Sequence, residues 1–298
     1  METIPKPHRA GFISIIGKPN VGKSTLMNSL IGERLSIITS KAQTTRHRIF
    51  GIINGDDFQI VYSDTPGVIQ PKYELHRSMM NFVNTSLEDA DVVLFVTDIF
   101  EQYDEDDVIK KLPKIHVPVV LLVNKIDQAT PEQIEEKLAY WREKIAADHV
   151  IPISALHGTN TDKLLETIMN NLPEHPPYFP KDQLTDKSER FFAAEIVREK
   201  ILINYKKEVP YSCEVVITEF KEKDDILVVR AEIFVERATQ RAILIGHKGE
   251  SIKKLGIQSR ESMEQFFMKK VFLETHVRVE PDWRDRENKL RQFGYNMT

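Results

Sequence analysis

At 298 residues and 34.5 kDa the chain is too long for one average domain and short for three, so two domains are expected. With 41% hydrophobic and 29% charged residues, no apolar run near the roughly 18 residues that span a bilayer, and a single cysteine, the composition excludes disordered, collagenous, membrane-spanning and disulfide- or thiolate-cluster proteins. The net charge of −4 divides into 18 Lys+Arg against 24 Asp+Glu over residues 1–180 and 23 against 21 over 181–298, a mild asymmetry. Met1 to Arg9 carries no apolar core of a secretory signal, and a lone Cys213 suits a reducing compartment, so a cytoplasmic protein is expected.

In the first part, short β-branched runs at Phe12–Ile16, Gln59–Tyr62, Val92–Val96, Val117–Val123 and Val150–Ile153 read as strands buried on both faces of a parallel sheet. Helical stretches separate most of them: Lys23–Ile31, with Gly32 placed as a left-handed cap, and others near Ser78–Leu87, Pro131–Ala146 and Asp162–Leu172. This is a doubly wound α/β pattern with helices on both faces.

Gly17-Lys18-Pro19-Asn20-Val21-Gly22-Lys23-Ser24 lies between the first strand and first helix and matches the Gly-x4-Gly-Lys-Ser phosphate loop. Its glycines let backbone N–H groups wrap phosphates at a helix N-terminus, Lys23 neutralises β/γ charge, and the Ser24 hydroxyl can ligate Mg²⁺. Gln43-Thr44-Thr45-Arg46, in a stretch of weak secondary-structure signal, can supply a threonine to Mg²⁺ and the γ-phosphate, and Thr45 is taken as that residue. Asp64-Thr65-Pro66-Gly67-Val68 ends another strand, where Asp64 can hold Mg²⁺ through water and the Gly67 N–H can meet the γ-phosphate. Lys23, Thr45 and Gly67 are thus the expected catalytic groups.

Asn124-Lys125-Ile126-Asp127 follows the strand ending at Val123, where a carboxylate at 127 can accept from both N1–H and the exocyclic amine of guanine, so GTP and GDP are expected over adenine nucleotides. Ser154-Ala155-Leu156, after another apolar run, can donate backbone N–H to guanine O6. Position 68 is valine where Ras-like enzymes carry the water-orienting glutamine, and no replacement base is identifiable. His47, Glu74, His76 and the acidic run Glu101–Asp107 are expected to be solvated, and Asp64–Arg77 to lack regular structure until a nucleotide orders it.

Four prolines within residues 173–180 forbid helix and central strand and mark a stiff linker. Beyond it the expected order is α-β-β-α-GxxG-α-β: helix Glu189–Lys206, strands Glu214–Phe220 and Ile226–Glu236, helix Thr239–Ile245, the tetrapeptide Gly246-His247-Lys248-Gly249, a helix bearing Ile252, Leu255, Met263 and Phe266, and a strand bearing Val271 to Val279. A GxxG turn between helices, backed by a three-stranded sheet, is the layout of a KH domain, which admits single-stranded RNA backbone at the glycines. Arg237, Arg241, Lys248, Lys253, Lys254 and Arg260 form a basic stretch with one acidic residue. Phe191, Phe192, Phe266 and Phe267 are read as core rather than as base-stacking residues. The expected division is 1–173 P-loop GTPase domain, 174–187 linker and 188–298 smaller α+β RNA-binding domain with a C-terminal helix.

These motifs, with Lys41-Ala-Gln-Thr-Thr-Arg-His47, Tyr178 to Asp186, Ile196-Val-Arg-Glu-Lys200 and Val235-Glu-Arg237, resemble the bacterial Era GTPases along the whole chain. The resemblance implies a type II KH fold, binding of 16S ribosomal RNA near its 3′ end through the basic stretch and the Gly246–Gly249 loop with His247, and a role in 30S assembly. It also implies a weak peripheral membrane association at the inner face, for which no amphipathic basic helix argues here, an apolar residue at position 68, and a K⁺ held by Asn20. No DNA partner is expected, and a monomer is. Rival readings are a GTPase whose second domain binds protein, a P-loop kinase or ATPase, and an RNA clamp that binds GTP without hydrolysing it.

Overall fold

The computed structural model describes residues 7–102 and 116–295. The chain packs as two compact units: the first holds the chain up to Ser36, Thr45–Gln70 and Met79–Asp186, and the second holds Ile37–Thr44, Pro71–Ser78 and the chain from Lys187.

Among the described residues the first unit builds a six-stranded sheet in the order β2-β3-β1-β4-β5-β6, from β1 (Arg9–Ile16), β2 (Ile49–Asn54), β3 (Phe58–Asp64), β4 (Val92–Asp98), β5 (Val119–Asn124) and β6 (His149–Pro152). All neighbours pair parallel except β2, which runs antiparallel to β3. Every residue of β4 and β5 is buried, which is why those runs show no polar alternation. Among the described residues the helices that accompany the sheet are α1 (Lys23–Ile31), α2 (Glu74–Glu88), α3 (Pro131–Lys144) and α4 (Thr161–Asn171). Gly32 ends α1 with φ 79°, as expected for its cap, and Thr130 with Gln133 forms a capping box at the start of α3. Strand β1 has β3 on one side and β4 on the other, so the crevice beyond the end of β1 is a topological switch point, where open α/β sheets bind ligands.

One expectation changes here. The edge strand β2 gave no sequence expectation, and α2 begins at Glu74, so the stretch expected to lack regular structure is already helical over its last residues. Residues 174–186, expected as a linker, run as a strap within the first unit. The fully buried Gln59 holds it: its Oε1 accepts from the N–H groups of Tyr178 (2.7 Å) and Phe179 (2.9 Å), and its Nε2 donates to Phe179 O. Ile52 N–H donates to Leu184 O at 2.8 Å and Phe50 N–H to Asp186 Oδ1 at 2.9 Å, so the strap satisfies the free edge of β2.

The second unit contains α5 (Glu189–Asn204), β7 (Glu214–Lys223), β8 (Ile226–Val235), α6 (Ala238–Ile245), α7 (Glu250–Phe267), β9 (Lys270–Val279) and α8 (Glu287–Gln292). Its sheet is mixed: β8 is central, antiparallel to β7 and parallel to β9. Leu227, Val229, Ala231, Ile233 and Val235 of β8 alternate into a core with Val197 and Ile201 of α5, Leu244 of α6, and Leu255 and Met263 of α7. Phe192 and Phe266 pack with ring centres 5.2 Å apart, and Phe266 and Phe267 at 5.0 Å. The C-terminal segment is pinned by Trp283 Nε1 donating to Ser212 O and Tyr295 OH donating to Glu214 Oε2. Among the described residues no helix is long and apolar enough to cross a membrane.

Candidate functional site

The loop that follows β1 is shaped by its glycines. Gly22 has φ 101°, and a Cβ there would sit 2.2 Å from the Asn124 amide nitrogen, so no side chain can occupy the point where α1 begins. Lys23 is buried under the loop, its Nζ donating to Gly17 O at 3.0 Å and Lys18 O at 2.9 Å. Burial pulls its pKa down to about 8, against the opposing charges of Asp64 and Glu101.

Three groups expected to hold a cation meet beside it. Ser24 Oγ donates to Asp64 Oδ2 at 2.7 Å and lies 3.0 Å from Thr45 Oγ1. The second oxygen, Asp64 Oδ1, is fully buried with the Ser36 hydroxyl near it and makes no hydrogen bond. Two hydroxyls and one carboxylate, which keeps an oxygen without a donor, are hard oxygen ligands, and a single carboxylate matches the way Mg²⁺ is held together with phosphates. The residues fit that ion. Burial pushes the Asp64 pKa up, chiefly against its hydrogen bond from Ser24.

Thr65 is anchored by Oγ1 donating to Ile15 O at 2.8 Å, and Val68 N–H donates to Gly17 O at 3.1 Å, which seats Asp64-Thr65-Pro66-Gly67 against the phosphate loop with Gly67 beside Pro19. Val68 packs on the core of β4, β5 and α3, so its side chain presents nothing polar to a water.

Asn124, nearly fully buried at the end of β5, is a cross-brace: Nδ2 donates to Val21 O at 2.8 Å and Oδ1 accepts from Ala155 N–H at 2.9 Å. That second bond occupies one backbone N–H of the Ser154-Ala155-Leu156 stretch expected to meet guanine O6, and the neighbouring Leu156 side chain is exposed. Lys125, at φ 63°, donates to Asp98 Oδ2 at 2.6 Å. The Asp127 carboxylate accepts from Ser154 Oγ at 2.6 Å, and this bond holds its pKa below the usual range, keeping it an acceptor for two donors of a base. Asn20 takes φ 66° in the phosphate loop.

Sequence reasoning missed Glu101. Expected to be solvated, it is instead turned inward: Oε2 accepts from Thr97 Oγ1 at 2.8 Å and Oε1 lies 3.5 Å from Lys18 Nζ. Residues 103–107 of that acidic run lie outside the described residues. His76 is likewise buried, stacked on Tyr73 with ring centres 3.8 Å apart, and His47 packs on Phe82. Lys18 and Phe82 lie far along the chain from Glu101 and His47, and no local signal reports those contacts.

In the second unit, Gly246 and Gly249 bracket a 3-10 turn between α6 and α7, with φ 73° and 81°. A Cβ on Gly246 would lie 2.2 Å from Ser251 Oγ, whereas one on Gly249 would meet nothing within 4 Å, so open space faces the second glycine. Beside the turn a groove of about 800 Å³ is lined by Arg241 and Ile245 of α6, Ile252 of α7, and Thr275 and Val277 of β9, among others. Arg237, Arg241, His247, Lys248, Lys253 and Lys254 are exposed, as a polyanion site requires, and of these Arg241 lines the groove, whose wall also carries Glu232 and Glu274. Arg260 is half-buried and bonded to Glu264 at 2.6 Å, which removes it from the basic face. Ile245, Ile252 and Val277 were readable only as helix or strand core positions; nothing in their spacing tells a groove wall from a core.

Known protein families match both halves of this geometry. The family described as "50S ribosome-binding GTPase" matches residues 12–125, and the KH domain family matches 208–284. GTPase Era of Geotalea daltonii is 45% identical over 289 residues, covering 96% of this chain and 97% of its own. The chain belongs to the Era family of GTPases. GTPase Era of Clostridium perfringens is 41% identical over 290 residues, covering 96% of this chain and 98% of its own. A crystal structure of a point variant of Aquifex aeolicus Era bound to GDP.AlF4⁻ superposes with a TM-score of 0.92 at 41% identity, covering 96% of this chain and 99% of that one. A second, of Era in complex with MgGDPNP and nucleotides 1506–1542 of 16S ribosomal RNA, has a TM-score of 0.88 at 41% identity, covering 97% and 99%. As an Era-family member the protein is a GTP-hydrolysing enzyme with a phosphate-loop GTPase domain followed by a KH domain.

Proposed function

We propose that this GTPase binds GTP or GDP with Mg²⁺ in the first unit and single-stranded 16S ribosomal RNA near its 3′ end in the Gly246–Gly249 groove, and that it serves 30S subunit assembly in the cytoplasm as a monomer. The observation that carries the reading is the near full-length likeness to Era held with MgGDPNP and nucleotides 1506–1542 of 16S ribosomal RNA. The open face of Gly249 and the exposed basic residues support it independently.

In the first unit Lys23 sets a positive charge against the β/γ-phosphates, the backbone around Gly22 wraps them, and Asp127 selects guanine. The chemistry a bound Mg²⁺ supplies is neutralisation of charge on the transferred phosphoryl oxygens, and Ser24, Thr45 and Asp64 would hold it. The apolar Val68 leaves no side-chain base at its position, so positive charge and positioning have to carry the hydrolysis. The monovalent ion implied at Asn20 is part of that reading: hydrolysis faster in KCl than in NaCl at equal ionic strength is expected, and equal rates remove it.

The decisive experiment measures binding of a 3′-terminal 16S fragment and of a scrambled fragment at several salt concentrations, alongside phosphate release with and without RNA. Tighter binding of the native sequence, weakening steeply with salt, is expected. Equal, salt-insensitive binding of both fragments would favour a protein partner for the second domain.

A further inference from the structure

Residues 37–44 and 71–78 belong to the second unit, although the residues that follow or precede them, Thr45 and Asp64 to Gly67, build the phosphate site. The first of these segments is internally tied: Thr44 Oγ1 donates to Lys41 O at 2.6 Å and lies 2.6 Å from Thr39 Oγ1, and Gln43 takes φ 57°. What fixes it from outside is α5. Arg198 is 1% exposed, and a guanidinium so far removed from water must use its donors on partners. One edge is closed by Glu195, three residues earlier, through Nε at 2.7 Å and through Nη2. The rest reaches the main chain of the segment: Nη1 donates to Gln43 O at 3.3 Å and Nη2 donates to Thr44 O. A second cation works alongside, Lys41 Nζ donating to Leu202 O and Tyr205 O at the C-terminal end of α5.

The two carbonyls that Arg198 holds are the two that precede Thr45. Thr45 Oγ1 in turn stands 3.0 Å from Ser24 Oγ, at the donor set described above. We propose that Arg198 is a positioning residue for the nucleotide site: by pinning the Gln43 and Thr44 carbonyls it sets where the Thr45 hydroxyl stands, so that α5 of the RNA-binding unit discriminates triphosphate from diphosphate. The proposal rests on the reading of Thr45 as the residue that meets Mg²⁺ and the γ-phosphate. Glu195 neutralises the buried charge but takes only Nε and one Nη2 proton, so the Gln43 and Thr44 carbonyls also satisfy donors that burial would otherwise leave without partners.

The test uses the full-length protein with Arg198→Lys, Arg198→Gln and Lys41→Met, and measures dissociation constants for GDP and for a non-hydrolysable GTP analogue across a Mg²⁺ titration. Lys41→Met leaves the Arg198–Glu195 pair intact and so folds even where Arg198→Gln strands a buried carboxylate. Expected are unchanged GDP affinity and an analogue affinity about tenfold weaker for Arg198→Gln, the worth of a charge-assisted hydrogen bond. The loss should be smaller for Arg198→Lys and Lys41→Met, and half-saturation should move to higher Mg²⁺ with the analogue only. An analogue-to-GDP affinity ratio equal to wild type in Arg198→Lys and Lys41→Met overturns the proposal, as does an equal loss of both ligands with a lowered melting temperature. Failure of the wild-type protein to bind GDP would instead reject the nucleotide reading on which it rests.

Discussion

Lys23, Asp64 and Asn124 are buried, whereas Arg241, His247, Lys248, Lys253 and Lys254 all face solvent. One site is prepared for a compact ligand: its polar groups are already bonded to one another, as with Lys23 to Gly17 O and Ser24 to Asp64, and a phosphate or cation has to replace those bonds. The other has long cations left in water and a bare glycine facing open space, which suits the polymer proposed above. Buried polar groups discriminate sharply because an unmatched partner leaves them without a bond, while exposed cations attract any phosphate chain and leave sequence to the groove. The first site should therefore fail through single-atom changes, and the second through bulk, charge and salt.

The largest effect is expected at Gly249. A Cβ there meets nothing within 4 Å, and aspartate tolerates positive φ better than most side chains, so the fold should survive. A carboxylate set against RNA phosphates costs several kcal/mol, more than about a hundredfold in affinity, while GTP hydrolysis without RNA stays at the wild-type rate. Gly246 is the poorer choice, since Ser251 Oγ would lie 2.2 Å from the new Cβ and folding itself is at stake. A Gly249→Asp protein that melts normally, hydrolyses GTP and still binds the fragment would break the comparison on the RNA side.

Next comes Asp127→Asn. The carboxylate, kept ionised by Ser154, offers only acceptors; an amide turns one of them into a donor facing a guanine N–H. GTP affinity should fall roughly 10- to 100-fold, the worth of one or two hydrogen bonds to a charged group, and xanthosine triphosphate, with a carbonyl where guanine has an amine, should gain. Titration with both nucleotides decides it, and an unchanged preference would remove Asp127 from base reading.

Both variants lie at positions legible in the sequence, and the reason is the same for each. Asn124–Asp127 and GxxG chemistry is carried by contiguous residues placed directly after a strand or between two helices, and the alternating or continuous apolar runs of β4, β5 and β8 announce their burial. What escaped reading depends on partners far along the chain. Glu101 sits in an acidic run that looks solvated, and nothing near it reports that Lys18 faces its carboxylate. The strap over β2 looks like a proline linker because nothing near Tyr178 reports Gln59. Arg198 reads as one more charge on a helix until the chain brings Gln43 and Thr44 to it. The occupation of the Ala155 N–H by Asn124 is of the same kind.

A milder change sharpens the contrast at the groove. Lys248 is exposed at φ 49° in the turn and, as one point charge among several, should contribute one phosphate contact. Lys248→Ala should weaken binding of native and scrambled RNA alike and lower the slope of log affinity against log salt by about 1. A loss confined to the native sequence would make Lys248 a base reader instead.

The smallest effect is a proton count at the nucleotide site. In the free protein burial holds the Lys23 pKa at about 8, with Asp64 and Glu101 opposing the shift, and phosphates bound against the ammonium must raise it. Below about pH 8 the free site is already charged, so affinity is flat; above it binding must take up a proton, and affinity falls as pH rises. At pH 8 the free lysine is half protonated, so calorimetry of GDP binding in two buffers of different ionisation enthalpy should record an uptake of about half a proton, against almost none near pH 6.5. The affinity change at pH 8 is then only about twofold. Glu101→Gln makes the test specific: without that carboxylate the Lys23 pKa drops further, and the uptake at pH 8 should grow. An uptake that is absent at pH 8, or unaltered by Glu101→Gln, would mean that Lys23 titrates as an exposed amine does, and the burial that sets this site apart from the groove would not govern its chemistry.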